Sequence, residues 1–258
     1  MKDLKISANT VNNPFSKEKY YKGSDKDIVL LFHGFTGVPG HMYYLGERIY
    51  KQTNYSVYIP RLPGHGTNSS DFRQSNSRDW LRKAYDSYLN ISHFNNIYIA
   101  GLSMGGLLAL LTAAKFEIDK LITISAALYA LSPAVPFTHI VKYIIPKIKV
   151  SNEPSEDLET EAEKNHWENY WQYHYTAQVA ELHKLMMLTR RKLKNINCDS
   201  LIIASTEDNT VPIKASYKIK EKINSSSKEL VIFNNSPHVI NNGPEKKECA
   251  DKIIDFLS

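Results

Sequence analysis

Residues 96–106 read Asn-Ile-Tyr-Ile-Ala-Gly-Leu-Ser-Met-Gly-Gly, and this stretch decides the fold. The apolar run 96–100 is typical of a buried strand, and the apolar run 104–114 is typical of a buried helix. Between them, Gly-Leu-Ser-Met-Gly matches the G-x-S-x-G pattern of a tight strand-to-helix turn that exposes its serine. The small residues two positions before and after Ser103 avoid clashes in such a turn. Ser103 is therefore the candidate nucleophile.

Further apolar runs repeat this alternation along the chain. Continuous β-rich runs of this kind predict strands covered on both faces, as in a parallel sheet. Helical spacing between them predicts a doubly wound α/β sheet of about six to eight strands. The other predicted strands are 28–32, 57–59, 121–125, 201–205 and 230–233, and the other predicted helices are 43–50, 79–89, 215–223 and 246–257.

One long segment breaks the alternation, since no strand is predicted from 127 to 194. Prolines interrupt its first half, and the acidic stretch 153–163 opens a second half that is predicted to be helical. There, aromatic and histidine residues recur at helical spacing at Trp167, Tyr170, Trp171, His174 and Tyr175. We interpret 127–194 as a helical cap inserted between a first core part, 1–126, and a second core part, 195–258.

A serine hydroxyl needs a base within hydrogen-bond reach, and the base needs an orienting acid. Two polar loops follow later predicted strands, where open α/β sheets build their sites. The first contains Glu207 and Asp208, either of which could be the acid, and the second contains His238. We favour Asp208, because the Val-Pro pair three and four residues later resembles a family pattern. His238 is the candidate base.

Attack by an activated serine on a carbonyl group also needs two backbone N–H donors that stabilise the oxyanion. One is expected from Met104, the residue after the nucleophile. The other is expected from the glycine-containing loop His33–Gly37, with Phe35 as the donor and its side chain lining the acyl site. His33 is interpreted as a structural brace of that loop.

Charge, cysteine content and the length of the apolar runs indicate which partners and cofactors to expect. The net charge is +5, and the basic residues are scattered among acidic ones along the chain. A nucleic-acid binder more often has a concentrated basic stripe, so no nucleic-acid partner is expected. The two cysteines, Cys198 and Cys249, show no metal-site or disulfide spacing, and no cofactor or metal is predicted. The N-terminus shows no signal-peptide pattern and no apolar run is long enough to span a membrane, so we expect a cytoplasmic protein without stable membrane insertion.

The segments LFHGFTGVPG, PRLPGHG, GLSMGG and SPHVI, with the Asp208 loop, resemble small bacterial carboxylesterases and monoacylglycerol lipases of the α/β-hydrolase superfamily. The resemblance covers roughly residues 25–126 and 195–258. It implies a Ser103-Asp208-His238 triad, oxyanion donors at Phe35 and Met104, and an acyl ester as the small-molecule substrate.

The resemblance leaves the substrate open, because residues of the cap match no transferable motif. Aromatic residues of the cap suit an apolar acyl chain or an aromatic acyl group, and we expect Phe35, Trp171 and Tyr175 to contact the substrate. The alternatives are an aminopeptidase or amidase, a feruloyl-type esterase, and a non-catalytic hydrolase-like binding protein; a lyase or C–C hydrolase would also fit the same triad. The oligomeric state is not predicted.

Overall fold

The computed structural model describes residues 13–149 and 172–258 of the chain, and all structural statements below concern these residues. Seven strands form one sheet and two short strands form another. The strands are β1 Lys19–Tyr21, β2 Asp27–Phe32, β3 Ser56–Ile59, β4 Asn96–Leu102, β5 Lys120–Ile124, β6 Lys147–Lys149, β7 Tyr173–Tyr175, β8 Asp199–Ser205 and β9 Lys228–Phe233.

Helices connect most of these strands. The α-helices are α1 Tyr43–Thr53, α2 Ser69–Phe72, α3 Ser77–Ile91, α4 Met104–Ala113, α5 Thr138–Val141, α6 Thr176–Lys192, α7 Lys214–Lys222 and α8 Lys246–Leu257. Short 3₁₀ turns occur at Pro14–Ser16, Pro39–Met42, Val135–Phe137, Leu193–Asn195 and Ile240–Asn242.

The large sheet has the strand order β1-β3-β2-β4-β5-β8-β9. Every neighbouring pair is parallel except β1 with β3, which is antiparallel at the edge. This confirms the predicted α/β-hydrolase fold with a mostly parallel sheet. All six strands predicted from apolar runs are present.

Two apolar cores lie on opposite faces of this sheet. In β2, Ile28, Leu30 and Phe32 point into the core shared with α3 and α4, whereas Val29 and Leu31 point into the core shared with α1 and α8. Successive side chains of a strand face opposite ways, so a strand covered on both faces must be apolar throughout. All ten residues of α4 are buried, as its wholly apolar sequence predicts.

The connection between β5 and β8 differs from the sequence prediction. It contains the antiparallel pair β6–β7, so the expectation of no strand between 127 and 194 was wrong. His174 and Tyr175 lie in β7 and not in a helix, and the long helix α6 begins only after them, at Thr176. The acidic stretch 153–163, Trp167, Tyr170 and Trp171 lie outside the described residues. The boundaries at 126/127 and 194/195 stay predictions.

The strand β1 was also missed by the sequence analysis. Its three residues Lys19–Tyr21 pair with Ile59–Val57 at the edge of the sheet, and none of them is fully buried. A three-residue edge strand carries no apolar run, so its formation depends on the partner strand.

Candidate active site

Ser103 occupies the sharp turn between β4 and α4. Its backbone has φ of 56° and ψ of −114°, a conformation that a residue with a side chain adopts only at an energetic cost of roughly 1–3 kcal/mol. The Ser103 N–H donates to the carbonyl of Ile124 at 2.9 Å, and its carbonyl accepts from the N–H of Ala127 at 3.1 Å. These bonds to the end of β5 hold the strained turn in place.

The glycines around the turn permit its close packing. A Cβ atom on Gly101 would lie 2.1 Å from the carbonyl oxygen of Gly105. A Cβ atom on Gly105 would lie 2.2 Å from the carbonyl oxygen of Phe32 in the neighbouring strand. Backbone atoms cannot yield as the end of a flexible side chain can, so both positions require glycine, as the sequence pattern predicts.

The structure brings Ser103, His238 and Asp208 together. The Ser103 hydroxyl oxygen lies 2.9 Å from Nε2 of His238, and Nδ1 of His238 lies 2.8 Å from Oδ2 of Asp208. Because the carboxylate can only accept, Nδ1 carries the proton of the neutral imidazole. Nε2 is then the free basic nitrogen, and it faces the Ser103 hydroxyl.

Asp208 is fixed by its own loop as well as by His238. Its Oδ1 accepts from the N–H groups of Thr210 and Val211, both at 2.8 Å. Burial opposes ionisation of this side chain, but the bond from His238 and the two backbone donors outweigh it and hold the pKa of Asp208 below its ordinary value. The neighbouring Glu207 is exposed.

The loop after β2 lies directly against the nucleophile. A Cβ atom on Gly34 would lie 3.4 Å from Cβ of Ser103, so the backbone of this loop passes close to the serine and leaves little room between them. Thr36 has φ of 56°, and Gly37 N–H closes a turn onto the carbonyl of Gly34 at 3.1 Å. Within the described residues, the N–H groups of Phe35 and Met104 make no hydrogen bond.

An aromatic cluster extends from this loop to β7, in the connection between β5 and β8. The Phe35 ring lies 5.4 Å from Phe72 and 5.9 Å from Trp80, and Phe72 in turn lies 6.3 Å from Tyr175 of β7. Phe35 and Tyr175 thus face the same cluster, whereas Trp171 lies outside the described residues. Sequence reasoning did not assign Phe72 or Trp80 to this region, and the one signal for Trp80 was its apolar position in a predicted helix.

Potential metal-binding clusters, the cysteines and the apolarity of the helices bear on which ligands the described residues could hold. Within residues 13–149 and 172–258, no group of three or more His, Cys, Asp or Glu side chains is placed to hold a metal ion. Both cysteines are free. Helices of the described chain all fall short of the length and apolarity needed to cross a bilayer.

The fold and this constellation define the class of α/β hydrolases. The chain belongs to the family described as serine aminopeptidase, S33, which matches residues 23–245. This confirms the resemblance drawn from the sequence motifs.

Comparison with individual proteins agrees with this assignment. The chain is 31% identical over 246 residues to the thermostable monoacylglycerol lipase of Bacillus sp. (strain H-257), covering 93% of this chain and 94% of that protein. It is 23% identical to the carboxylesterase of Bacillus subtilis (strain 168), covering 92% and 94%. A solved structure from work on the metagenome-derived lipolytic enzymes LipS and LipT has a TM-score of 0.84 and 26% identity, covering 95% of this chain and 98% of that one.

Proposed function

We propose that this chain is a carboxylic ester hydrolase that works through an acyl-enzyme on Ser103, with His238 as the base and Asp208 as the orienting acid. The observation that carries the proposal is the continuous hydrogen-bonded chain from Ser103 Oγ through both nitrogens of His238 to Asp208. The names of the two bacterial relatives, a monoacylglycerol lipase and a carboxylesterase, support an ester as the bond that is cleaved.

In the acylation step, Ser103 Oγ attacks the ester carbonyl carbon and its proton passes to Nε2 of His238. Asp208 stays ionised, fixes the tautomer and stabilises the imidazolium that forms. The lowered pKa of Asp208 favours this role, because the group remains an acceptor at neutral pH. The protonated Nε2 then gives the proton to the leaving alcohol oxygen as the C–O bond breaks.

Charge on the carbonyl oxygen develops during this attack. The N–H groups of Phe35 and Met104 are the proposed donors, and their freedom from other acceptors in the described chain suits that role. In the second half of the reaction, His238 takes a proton from water, and the resulting hydroxide attacks the acyl carbon. Breaking the acyl–Oγ bond releases the carboxylic acid, and the proton returns to Ser103.

The substrate class is an acyl ester with an apolar acyl group, such as a monoacylglycerol or a short-to-medium-chain ester. The aromatic cluster supports this proposal, because Phe35 follows Gly34 in the loop next to the nucleophile, and both Phe35 and Tyr175 contact the apolar ring of Phe72. Trp171 is proposed as a further contact on sequence grounds alone.

The test is hydrolysis of p-nitrophenyl butyrate by the wild type, Ser103→Ala and the exposed control Ser92→Ala. We expect Ser103→Ala to lose activity by several orders of magnitude with an unchanged thermal unfolding midpoint, and Ser92→Ala to retain it. Substantial hydrolysis by folded Ser103→Ala would overturn the assignment of the nucleophile.

The family description favours one second candidate, an aminopeptidase on the same triad. Amide and ester hydrolysis proceed through the same acyl-enzyme and the same catalytic residues. The two functions are therefore distinguished by comparing rates on an amide and an ester, and not by mutating the triad. We expect kcat/KM for p-nitrophenyl butyrate to exceed that for a proline arylamide. Faster hydrolysis of the arylamide would favour the aminopeptidase, and preference for methyl ferulate in the same panel would favour the feruloyl-type esterase.

A further inference from the structure

Two loops of the active site meet at the backbone of one residue. His238 lies in the loop after β9, and Asn241 and Asn242 lie in the 3₁₀ turn just after it. The side-chain amides of Asn241 and Asn242 both donate to the carbonyl oxygen of His41, at 2.7 and 2.9 Å. His41 belongs to the 3₁₀ turn Pro39–Met42, which follows the loop after β2. The segment that carries the base is thereby bonded to the segment that carries the proposed oxyanion donor.

The side chain of His41 supports the end of the loop after β2. Its Nδ1 accepts the Val38 N–H at 3.2 Å, and a Cβ atom on Gly37 would lie 3.0 Å from the same nitrogen. The Gly37 N–H closes the turn onto the carbonyl of Gly34, with Phe35 between them. His41 thus connects the two loops, one through its carbonyl oxygen and the other through its ring.

Asn241 is the buried member of the two amides. It is 1% exposed, whereas Asn242 is exposed. A carbonyl oxygen can only accept, so the bond to His41 fixes which end of the Asn241 amide faces it. The other end, Oδ1, is buried and accepts no hydrogen bond within the described residues. A buried acceptor without a donor costs free energy, so stability alone does not account for an amide at this position.

The sheet does not set the distance between these two loops directly. Three strands, β4, β5 and β8, separate β2 from β9. His238 Nε2 must stay near Ser103 Oγ, which lies 2.9 Å away, while the Phe35 N–H must face the oxygen of the attacked carbonyl. A displacement of about 1 Å in such an arrangement can lower a rate roughly 100-fold. A direct bond between the loops therefore bears on the rate of the reaction.

We propose that Asn241 is a positioning residue that holds the loop of His238 against the loop of Phe35 through His41. The proposal rests on the proposed ester hydrolysis, since it concerns the alignment of the same acylation step. Asn242 shares the acceptor, but water competes for its exposed amide, so the buried bond of Asn241 is the stronger constraint.

The test compares Asn241→Leu with the wild type and with Asn90→Leu, which places the same substitution at an exposed position of α3. Asn242 still donates to His41 in Asn241→Leu, and the unsatisfied oxygen is removed, so the thermal unfolding midpoint should change little. We expect kcat for p-nitrophenyl butyrate to fall about tenfold with KM nearly unchanged, because alignment matters to the transition state and not to binding. Asn90→Leu should behave as the wild type does. If leucine prevents folding, Asn241→Ala carries the same prediction.

Titration of active sites with an alkyl fluorophosphonate separates misalignment from partial unfolding. Misalignment leaves every molecule able to react, so the final labelled fraction of Asn241→Leu should equal that of the wild type while labelling is slower. A smaller labelled fraction with the kcat of the wild type per labelled site would show a structural role only and would overturn the proposal. The kcat of the wild type in fully labelled Asn241→Leu would overturn it as well.

A double-mutant cycle with His41→Leu tests the route of the effect. His41→Leu keeps the carbonyl oxygen but removes the ring that accepts the Val38 N–H. Both substitutions break one connection, so the double variant should lose little more kcat than the more damaged single variant. Losses that multiply would show independent effects and would overturn the connection through His41. Wild-type protein that neither hydrolyses the ester nor takes the label would instead refute the proposed function, so the two failures are distinguishable.

Discussion

The buried ring of His33 joins the loop after β2 to the loop after β3 through Leu62. Nε2 of His33 accepts the N–H of Leu62 at 3.2 Å, which leaves the proton on Nδ1, where it donates to the carbonyl of Gly34 at 3.0 Å. The imidazole thereby fixes the backbone one residue before Phe35. This agrees with the interpretation of His33 as a brace and not as a catalytic group.

We predict that His33→Ala lowers both stability and kcat. The buried Leu62 N–H loses its acceptor, which costs about 1–3 kcal/mol. The loop that presents Phe35 N–H loses its support, so kcat falls, by less than the roughly 100- to 1,000-fold that follows removal of an oxyanion donor. Thermal unfolding and ester hydrolysis measure the two effects, with exposed His93→Ala as the control. A His33→Ala variant with the kcat of the wild type would refute the brace.

Asp208 and Glu207 are adjacent carboxylates, and substituting each in turn tests which one orients His238. We predict that Asp208→Asn lowers kcat by about 1,000- to 10,000-fold, because the amide neither stabilises the imidazolium nor favours the working tautomer. Glu207→Gln should hydrolyse p-nitrophenyl butyrate at the rate of the wild type, since Glu207 is exposed. If Glu207→Gln were the more damaged variant, the assignment of the acid would be wrong.

The lowered pKa of Asp208 also predicts how stability depends on pH. Its folded pKa lies below its unfolded value of about 3.9, so the ionised form stabilises the folded protein above about pH 4. That contribution is lost as pH falls through the folded pKa. The difference in free energy of unfolding between the wild type and Asp208→Asn should therefore shrink below about pH 4. Urea unfolding of both proteins, from pH 6 down to the lowest pH at which they stay folded, measures this difference in free energy of unfolding. A difference that grows as the pH falls would contradict the prediction.

Tyr175 of β7 is expected to contact the acyl group. It is half-buried between Phe72 and the guanidinium of Arg73, which lies 5.5 Å from the ring centre. We predict that Tyr175→Ala raises KM for long-chain p-nitrophenyl esters about tenfold, as expected for losing one apolar contact, and leaves kcat/KM for the acetate nearly unchanged. Exposed Tyr217→Ala is the control. Equal losses on the long-chain ester and the acetate would show that Tyr175 acts on the fold and not on chain binding.

The core and its polar loops could be predicted because each rests on a local signal. A continuous apolar run identifies a parallel strand such as β2 or β4, and the catalytic candidates follow directly after such strands. The elbow around Ser103 is specified within five residues by its glycines. Parallel strands bring their carboxyl ends to one edge, so loops that contain Asp208 and His238 converge although 30 residues separate them.

The connection between β5 and β8 could not be predicted to the same depth. The strands β6 and β7 have only three residues each. In the sequence, Tyr175 continues a helical spacing of aromatic residues, but in the structure it lies in the strand β7. Only pairing with Lys147–Lys149 decides for the strand, and that partner lies far along the sequence. Likewise, the contact between Phe35 and Phe72 depends on tertiary packing that no local pattern encodes.

The central claim is that Ser103 is the nucleophile, and covalent labelling tests it most directly. Wild-type protein is treated with an alkyl fluorophosphonate, and the site of the adduct is mapped by peptide mass spectrometry. The account predicts one adduct on Ser103, a much slower reaction in Asp208→Asn, and no adduct in Ser103→Ala. An adduct on another residue, or folded wild type that stays unlabelled, would contradict it.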